Sequence, residues 1–170
     1  MGRWSRTLAR RPAILLLPLV LASPQAVAGQ TPSSVDWPLF GNDLANTRFQ
    51  NVDQITPANV VGLRPAWVFH TGVLDPHASL EVSPIVVGGT MFVTSGLDDV
   101  FALDAATGHQ RWHYDPRADM PSLDTVSLCC GRANRGVGLA DGNVFLARLD
   151  DVVVALDATT GEFVWKKTTH

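Results

Sequence analysis

The protein is a chain of 170 residues with 13 Lys and Arg, 16 Asp and Glu, and a formal net charge of −3. Four of the basic residues and none of the acidic ones lie in residues 1–28, so residues 29–170 hold 9 basic against 16 acidic residues, a net charge of −7. This acidic balance, with no cluster of Lys or Arg after residue 28, argues against a nucleic-acid partner.

The N-terminus is typical of a secretory signal peptide. Its first eleven residues carry four arginines, and the apolar stretch over residues 13–22 is too short to span a bilayer. Ala26-Val27-Ala28 has the small residues that signal peptidase recognises, which predicts cleavage before Gly29. Cleavage implies export to an oxidising compartment, the periplasm in a Gram-negative cell, and leaves no transmembrane segment. An N-terminal membrane anchor is the alternative.

Two segments of the exported part resemble each other. Residues 102–112 and 155–165 share the pattern Ala-Leu-Asp-Ala-x-Thr-Gly-x-x-x-Trp at an offset of 53 residues. Each follows a hairpin-like stretch, residues 86–93 and 138–146, whose Gly-Gly or Asp-Gly pair supplies the positive φ of a tight turn. The short β-branched runs between turn and tryptophan are typical of strands.

The spacing of the tryptophans predicts the architecture. Trp67 precedes Trp112 by 45 residues, close to the 53 residues that separate Trp112 from Trp165. A period of this size with several strands in each unit indicates an all-β fold, a β-propeller with tryptophan-docking repeats. Each tryptophan would pack one blade against the next through its large apolar area. The alternative is a β-sandwich in which the three tryptophans are ordinary core residues.

At this point the chain resembles the pyrroloquinoline quinone (PQQ)-dependent, or quinoprotein, alcohol dehydrogenases. Phe40-Gly-Asn-Asp-Leu-Ala-Asn-Thr-Arg48 and Leu63-Arg-Pro-Ala-Trp-Val-Phe-His-Thr-Gly72 are similar to the N-terminal signature of that family. The two tryptophan repeats are similar to its docking motif. The most specific match is Cys129-Cys130-Gly-Arg-Ala-Asn-Arg135-Gly136, which resembles its adjacent-cysteine motif.

The resemblance implies a periplasmic enzyme with an eight-bladed propeller, of which this chain contains about two to three blades in residues 29–170. Such enzymes hold PQQ near the propeller axis with a calcium or lanthanide ion beside it. They oxidise alcohols by hydride transfer to PQQ and pass electrons to a cytochrome. The resemblance places the catalytic base and the metal ligands in later blades, so we assign no catalytic or metal-binding residue here and expect the 170-residue chain alone to be inactive.

The resemblance assigns a disulfide to the adjacent cysteines and a stacking contact between it and PQQ. Neighbouring Cα atoms lie about 3.8 Å apart, below the usual range for a disulfide, so a bridge between Cys129 and Cys130 strains or isomerises its own peptide bond. It closes no loop and adds almost no loop-closure stability. A rigid, polarizable ring of sulfurs nevertheless suits the face of a planar cofactor. Two separate thiols are the alternative.

Two further residues match positions that contact PQQ in the family. Arg135 corresponds to an arginine that hydrogen-bonds the quinone oxygens, where a fixed guanidinium stabilises the negative charge that reduction builds. Glu81 corresponds to a glutamate of the central site. Arg132 has no matching role, and we expect it to be structural.

Other polar residues are expected to be structural. His109 and His113 flank a turn and a strand, so they do not form a metal pair on one helical face. Asp98-Asp99 and Asp150-Asp151 lack calcium-loop spacing and are expected to shape turns. The pair Ala147-Arg148 departs from the Gly-Thr common in the family, a change expected to alter packing near the axis.

Two other functional interpretations compete with the dehydrogenase. One is a non-enzymatic periplasmic propeller scaffold of the outer-membrane assembly type, which also uses tryptophan-docking repeats. A scaffold has no use for a strained sulfur ring or for Arg135, which argues against it. The other is a truncated, inactive product.

Overall fold

The structure is a computed structural model that describes residues 1–2, 35–126 and 128–169. The chain divides into two compact units, Met1–Pro32 and Ser33–His170, and the fold described below belongs to the second. The predicted signal peptide falls, apart from its first two residues, outside the described residues. None of the helices in the described ranges has the length and hydrophobicity that crossing a bilayer requires.

Eight strands form two antiparallel sheets of four, each with its strands in chain order. The strands of sheet 1 are β1 Ile85–Val87, β2 Thr90–Thr94, β3 Val100–Asp104 and β4 Gln110–Tyr114. Those of sheet 2 are β5 Gly138–Ala140, β6 Asn143–Ala147, β7 Val152–Asp157 and β8 Phe163–Thr168. Three short 3-10 helices, Val60–Gly62, Pro116–Ala118 and Leu123–Thr125, lie outside the sheets. Two such meanders without closure are two blades of a partial propeller.

The first hairpin of each sheet has the predicted tight turn. Gly88 and Gly89, between β1 and β2, have φ of 55° and 73°. Asp141 and Gly142, between β5 and β6, have φ of 47° and 75°. Two consecutive positive φ values define the type I′ turn, whose twist matches that of the flanking strands. The Gly-Gly and Asp-Gly pairs therefore determine where each blade begins.

The main core lies between the two sheets and takes side chains from both. It consists of Ile85, Phe92, Val100, Ala102, Trp112, Val144, Leu146, Val154 and Leu156. All nine have less than a tenth of their surface exposed, so the sheets share one continuous apolar interior. A smaller cluster of Val93, Phe101 and Leu103 covers the opposite side of sheet 1, against Trp67 and Phe69.

Of the three regularly spaced tryptophans, Trp67 and Trp112 each dock on the Thr-Gly turn of the next repeat. Trp67 Nε1 donates to the carbonyl of Ala105 at 3.2 Å, and Trp112 Nε1 donates to the carbonyl of Ala158 at 3.1 Å. A Cβ atom on Gly161 would lie 2.6 Å from the Trp112 ring, so only glycine leaves room for the indole. The expectation that tryptophans join neighbouring blades is thus confirmed for Trp112, which joins sheet 1 to sheet 2, and Trp67 makes the same contact with sheet 1 from the segment before it.

Candidate functional site

The segment that contains Glu81 and the segment that contains Arg135 run side by side. Ser79 N–H donates to the carbonyl of Arg132 at 2.9 Å, and Ser83 N–H donates to the carbonyl of Arg135 at 3.3 Å. These two bonds fix the segments in parallel. The first segment leads into β1, and the second ends the insertion between the two sheets, residues 115–135. Two residues that are 54 positions apart in the chain are thereby brought into contact.

Glu81 and Arg135 form an ion pair at the surface of this site. Arg135 Nη2 donates to Glu81 Oε2 at 3.0 Å, and Ser79 Oγ donates to Glu81 Oε1 at 2.9 Å. The hydrogen bond from Ser79, followed by that from Arg135, holds the pKa of Glu81 below its ordinary value. The carboxylate is therefore ionised at neutral pH. The Arg135 side chain is 70% exposed, which leaves guanidinium donors accessible to a ligand.

The two cysteines precede Arg132, whose N–H donates to the carbonyl of His77 at 3.0 Å, so they lie on the same two paired segments as Glu81 and Arg135. Their Sγ atoms are 2.8 Å apart and both residues are exposed, with the thiols unbonded in this structure. The contact with Cys129 raises the pKa of the Cys130 thiol, while Arg135 lowers that pKa and Glu81 raises it. The charges of the ion pair thus act directly on the sulfur. The structure brings all four predicted cofactor-binding residues together, and the disulfide stays a prediction.

The chemistry of these side chains fits a planar quinone. Exposed, polarizable sulfur atoms favour contact with an aromatic face, and a guanidinium offers several N–H donors to oxygen atoms in one plane. The ion pair with Glu81 orients those donors, since it occupies one edge of the guanidinium. Within residues 35–126 and 128–169 no group of three or more His, Cys, Asp or Glu could hold a metal ion.

Arg132 anchors the cysteine-bearing insertion, as its predicted structural role requires. Its guanidinium binds the carboxylates of Asp75 and Asp124, and its side chain is only 15% exposed. Asp75 lies before the Glu81 segment, whereas Asp124 lies in the insertion. The arginine therefore fastens the insertion to the neighbouring segment without taking part in the exposed site.

The histidines and the paired aspartates also have structural contacts. His113 Nε2 lies 2.8 Å from Asp99 Oδ1, and its ring stacks on Phe101 at a centroid distance of 4.3 Å. Asp98 has a φ of 67° in the turn between β2 and β3, as expected for a turn residue. Its complete burial, and its hydrogen bond to Asn134, were not foreseen from the sequence. Asn134, directly before Arg135, was missed as well.

Arg148, which replaces a small residue common in the family, lies inside the structure with a side chain only 1% exposed. Its guanidinium binds Asp150 and donates to Asp119 Oδ1 at 2.8 Å and to Tyr114 Oη at 3.3 Å. Lys166 on β8 binds the other oxygen of Asp119 at 2.6 Å. The departure is thus compensated by acidic partners, one of them from the insertion.

Comparison with known proteins identifies the family. Residues 37–166 match the family model of the PQQ glucose/ethanol/alcohol dehydrogenase β-propeller domain. The chain is 40% identical over 145 residues to a quinohemoprotein alcohol dehydrogenase of Comamonas testosteroni, which covers 85% of this chain and 19% of that protein. It is 44% identical over 125 residues to a lanthanide-dependent methanol dehydrogenase of Methylorubrum extorquens, which covers 72% of this chain and 20% of that protein.

Solved structures agree on the fold. The crystal structure of the Comamonas testosteroni quinohemoprotein alcohol dehydrogenase matches with a TM-score of 0.69 and 38% identity over 79% of this chain and 19% of that one. A europium-containing methanol dehydrogenase matches with a TM-score of 0.70 and 38% identity over 79% of this chain and 23% of that one. The chain spans about a fifth of the length of these relatives. By this match and by its two docked blades, the chain belongs to the family of PQQ-dependent alcohol dehydrogenases, as part of their β-propeller domain.

Proposed function

We propose that residues 29–170 form the N-terminal part of a PQQ-binding propeller in a quinoprotein that oxidises alcohols. The observation that carries the proposal is the convergence of Cys129, Cys130, Arg135 and Glu81 on one exposed site. These residues come from two segments that the fold places side by side. When bound, PQQ would supply the hydride acceptor for the alcohol.

The cysteine pair would form the surface on which one face of the cofactor rests. Both sulfurs are exposed and close enough for a disulfide to form by a small movement of the side chains. We propose that an oxidising compartment closes this bond. Closing the bond would pass two electrons and two protons from the thiols to a disulfide oxidant of that compartment.

Arg135 would hold the quinone oxygens. Its guanidinium is fixed by Glu81 at 3.0 Å and keeps donors free, so little reorganisation is needed when negative charge develops on those oxygens. Interactions that strengthen as charge develops accelerate the reaction more than they tighten ground-state binding. Glu81 is proposed to contact the cofactor and to orient Arg135.

The remaining parts of the proposal rest on the family and on residues outside the described part of the chain. Residues 1–28 are proposed to be a signal peptide that directs the protein to the periplasm. A calcium or lanthanide ion would lie beside PQQ with ligands from other blades, and a cytochrome would accept the electrons. Relatives include a butanol dehydrogenase named for cytochrome c and lanthanide-dependent methanol dehydrogenases.

The test measures PQQ binding by the native protein isolated from its source cells. Binding is monitored through the quenching of tryptophan fluorescence. We expect Arg135→Ala to weaken binding about tenfold or more, because a hydrogen bond from a charged group contributes about 1.5–3 kcal/mol. Arg64→Ala removes another exposed arginine, outside the site, and should leave affinity unchanged. Failure of the native protein to bind PQQ, or equal affinities of the two variants, would refute the proposal.

Two further measurements address export and oxidation. N-terminal sequencing of the native protein should begin at Gly29, and a start at Met1 would contradict cleavage. The tryptic peptide that contains Cys129 and Cys130 should gain two hydrogens in mass on reduction. An unchanged mass would show that the two thiols are not linked.

A further inference from the structure

Asn134 has a buried side chain whose polar atoms all find partners. The residue is 5% exposed. Its Nδ2 donates to Asp98 Oδ1 at 2.6 Å and to the carbonyl of Ala147 at 3.0 Å, and its Oδ1 accepts from Gly136 N–H at 3.0 Å. One side chain therefore joins sheet 1, sheet 2 and the loop in which it lies.

The bond from Gly136 N–H to Asn134 Oδ1 spans Arg135. Such a side-chain contact with the backbone two residues further on closes an Asx turn and fixes the conformation of the residue inside it. Gly136 completes the turn with a φ of 122°, a region that other residues rarely adopt, and a Cβ there would lie 3.2 Å from the Ser83 carbonyl. Arg135 is thus held by backbone contacts on both sides.

Asp98 holds the Asn134 side chain in place by accepting a hydrogen bond from it. Its carboxylate is completely buried, and its second oxygen accepts from Leu149 N–H at 2.7 Å. The positive φ at Asp98 alone does not explain a carboxylate, because asparagine and glycine adopt that conformation as readily. A carboxylate is required at this position because each of its two oxygens accepts from an N–H donor, Asn134 Nδ2 at one and Leu149 N–H at the other. Asparagine would set its own NH₂ against one of them.

Burial of the Asp98 carboxylate costs desolvation free energy, and forming the turn does not recover it. An ionised group removed from water destabilises the fold unless hydrogen bonds replace its hydration, and burial raises the pKa of Asp98. Asn134 and Leu149 N–H are the two partners that oppose this rise most strongly. Asp98 and Asn134 therefore form a buried hydrogen-bonded pair. The proposed contacts with the cofactor do not involve this pair and do not explain it.

We infer that Asn134 is a positioning residue that fixes the turn carrying Arg135, and that Asp98 holds Asn134 in the orientation this requires. The inference rests on the proposed PQQ site. The hydrogen bonds that the Asn134 side chain makes within the described residues go to Asp98, Ala147 and Gly136, so it acts on the site through the direction in which Arg135 leaves the backbone. Loss of the turn would let the guanidinium leave Glu81 and the quinone oxygens.

The experiment compares Asn134→Asp with Asp99→Asn in the native protein. Asn134→Asp keeps the size of the side chain but sets oxygen against Asp98 and Ala147, which should turn the side chain away from both and misalign its bond to Gly136 N–H. Asp99→Asn alters a neighbouring, equally buried carboxylate that binds Ser95 and His113 instead. We expect Asn134→Asp to weaken PQQ affinity about tenfold and to shift the absorption spectrum of bound PQQ, and Asp99→Asn to do neither, even where both lower the thermal midpoint.

A double-mutant cycle separates positioning from general destabilisation. In an Arg135→Ala background, Asn134→Asp should cause little further loss of PQQ affinity, because the residue it positions is already gone. The exchange Asp98→Asn with Asn134→Asp restores a donor–acceptor pair and should recover part of the affinity. Additive losses in the cycle would overturn the inference and indicate a purely structural role.

Gly136→Ala gives an independent route if Asn134→Asp does not fold. It distorts the same turn from its other end without touching Asp98, and we expect the same loss of affinity. Normal PQQ affinity in both Asn134→Asp and Gly136→Ala would overturn the inference alone. Absence of PQQ binding by the unmodified protein, or normal affinity of Arg135→Ala, would overturn the proposed function instead.

Discussion

At the scale of single residues, Arg148 shows how a buried charge depends on its partners. Removing one member of a buried ion pair leaves the other unpaired, which typically costs about 3–5 kcal/mol. We expect Arg148→Ala to lower the free energy of unfolding by about this amount, because Asp150 is itself only 5% exposed. Arg117→Ala serves as the control: that arginine is 55% exposed, and the buried Asp99 that it reaches at 3.4 Å keeps its contacts with Ser95 and His113. Its loss should cost less than about 1 kcal/mol.

Urea unfolding measures the free energy of unfolding of Arg148→Ala and Arg117→Ala against the unmodified protein. Arg148→Met combined with Asp150→Asn should lose less stability than the sum of the single changes, because no unpaired charge stays behind. Equal losses in Arg148→Ala and Arg117→Ala would show that Arg148 is solvated in solution.

Asp104 gives a prediction for the pH dependence of stability. The hydrogen bond from Arg111, followed by those from Thr107, lowers the pKa of Asp104 to about 2. Because the folded-state pKa lies below the unfolded value near 3.8, the ionised form stabilises the fold above pH 3.8. This contribution is lost as the pH falls from about 3.8 to about 2. Unfolding free energies measured across this range should therefore fall less steeply with acid in Asp104→Asn.

The second repeat supplies the control for Asp104. Asp157 occupies the equivalent position and binds the backbone of Thr159 and Thr160, but Val164 stands where the first repeat has Arg111. Its pKa is lowered by these backbone bonds without a cation. Asp157→Asn should consequently change the acid dependence less than Asp104→Asn. The reverse order would contradict the role of Arg111.

At the scale of structural elements, the tryptophan–glycine contact can be tested separately from backbone strain. Gly161 and Gly142 have nearly the same positive φ, 74° and 75°. A Cβ on Gly161 would meet the Trp112 ring at 2.6 Å, whereas a Cβ on Gly142 meets nothing within 4 Å. Both alanine variants bear the cost of a left-handed backbone, about 1–2 kcal/mol. Gly161→Ala should lose a further 1–3 kcal/mol, roughly the cost of overpacking.

Fluorescence shows whether the extra loss comes from the indole. Displacement of Trp112 should break its bond to Ala158 and shift the emission to longer wavelength in Gly161→Ala. Gly142→Ala should keep the emission of the unmodified protein. Equal stabilities of the two variants would mean that docking contributes nothing beyond the turn.

At the scale of the whole molecule, Trp165 differs from Trp112 in its exposure to solvent. Trp112 is 8% exposed beneath the turn of the next repeat, whereas Trp165 is 42% exposed on a strand whose six residues are all exposed. In the 170-residue chain, acrylamide should therefore quench Trp165 far more than Trp112. Trp165→Phe should lower the readily quenched emission, and Trp112→Phe should lower it much less. Equal effects of the two substitutions would contradict the partial-propeller arrangement.

The same measurement on the native protein bears on its length. Protection of Trp165 there would indicate that another repeat covers it. Exposure of Trp165 in the native protein would indicate that no further repeat covers the second blade. That result would count against the proposed dehydrogenase. Intact mass of the native protein distinguishes these cases independently.

The sequence alone determined the features that depend on neighbouring residues. Gly-Gly and Asp-Gly impose their turns through their own φ values, and the repeated tryptophan spacing required no knowledge of packing. The family motif also allowed Cys129, Cys130, Arg135 and Glu81 to be named before their positions were known. The structure confirmed the all-β propeller architecture and brought these four residues together.

Only the tertiary structure decided the contacts between distant segments. Asp98 meets Asn134 across 36 residues, and Arg148 meets Asp119 across 29. The sequence predicted that Asp98 shapes a turn and that the change to Ala147-Arg148 alters packing near the axis, but it named no partner for either side chain. Their burial follows from how the insertion packs over the ends of both sheets. Burial then makes every hydrogen bond obligatory, and that requirement is a property of the packed molecule and not of any local pattern.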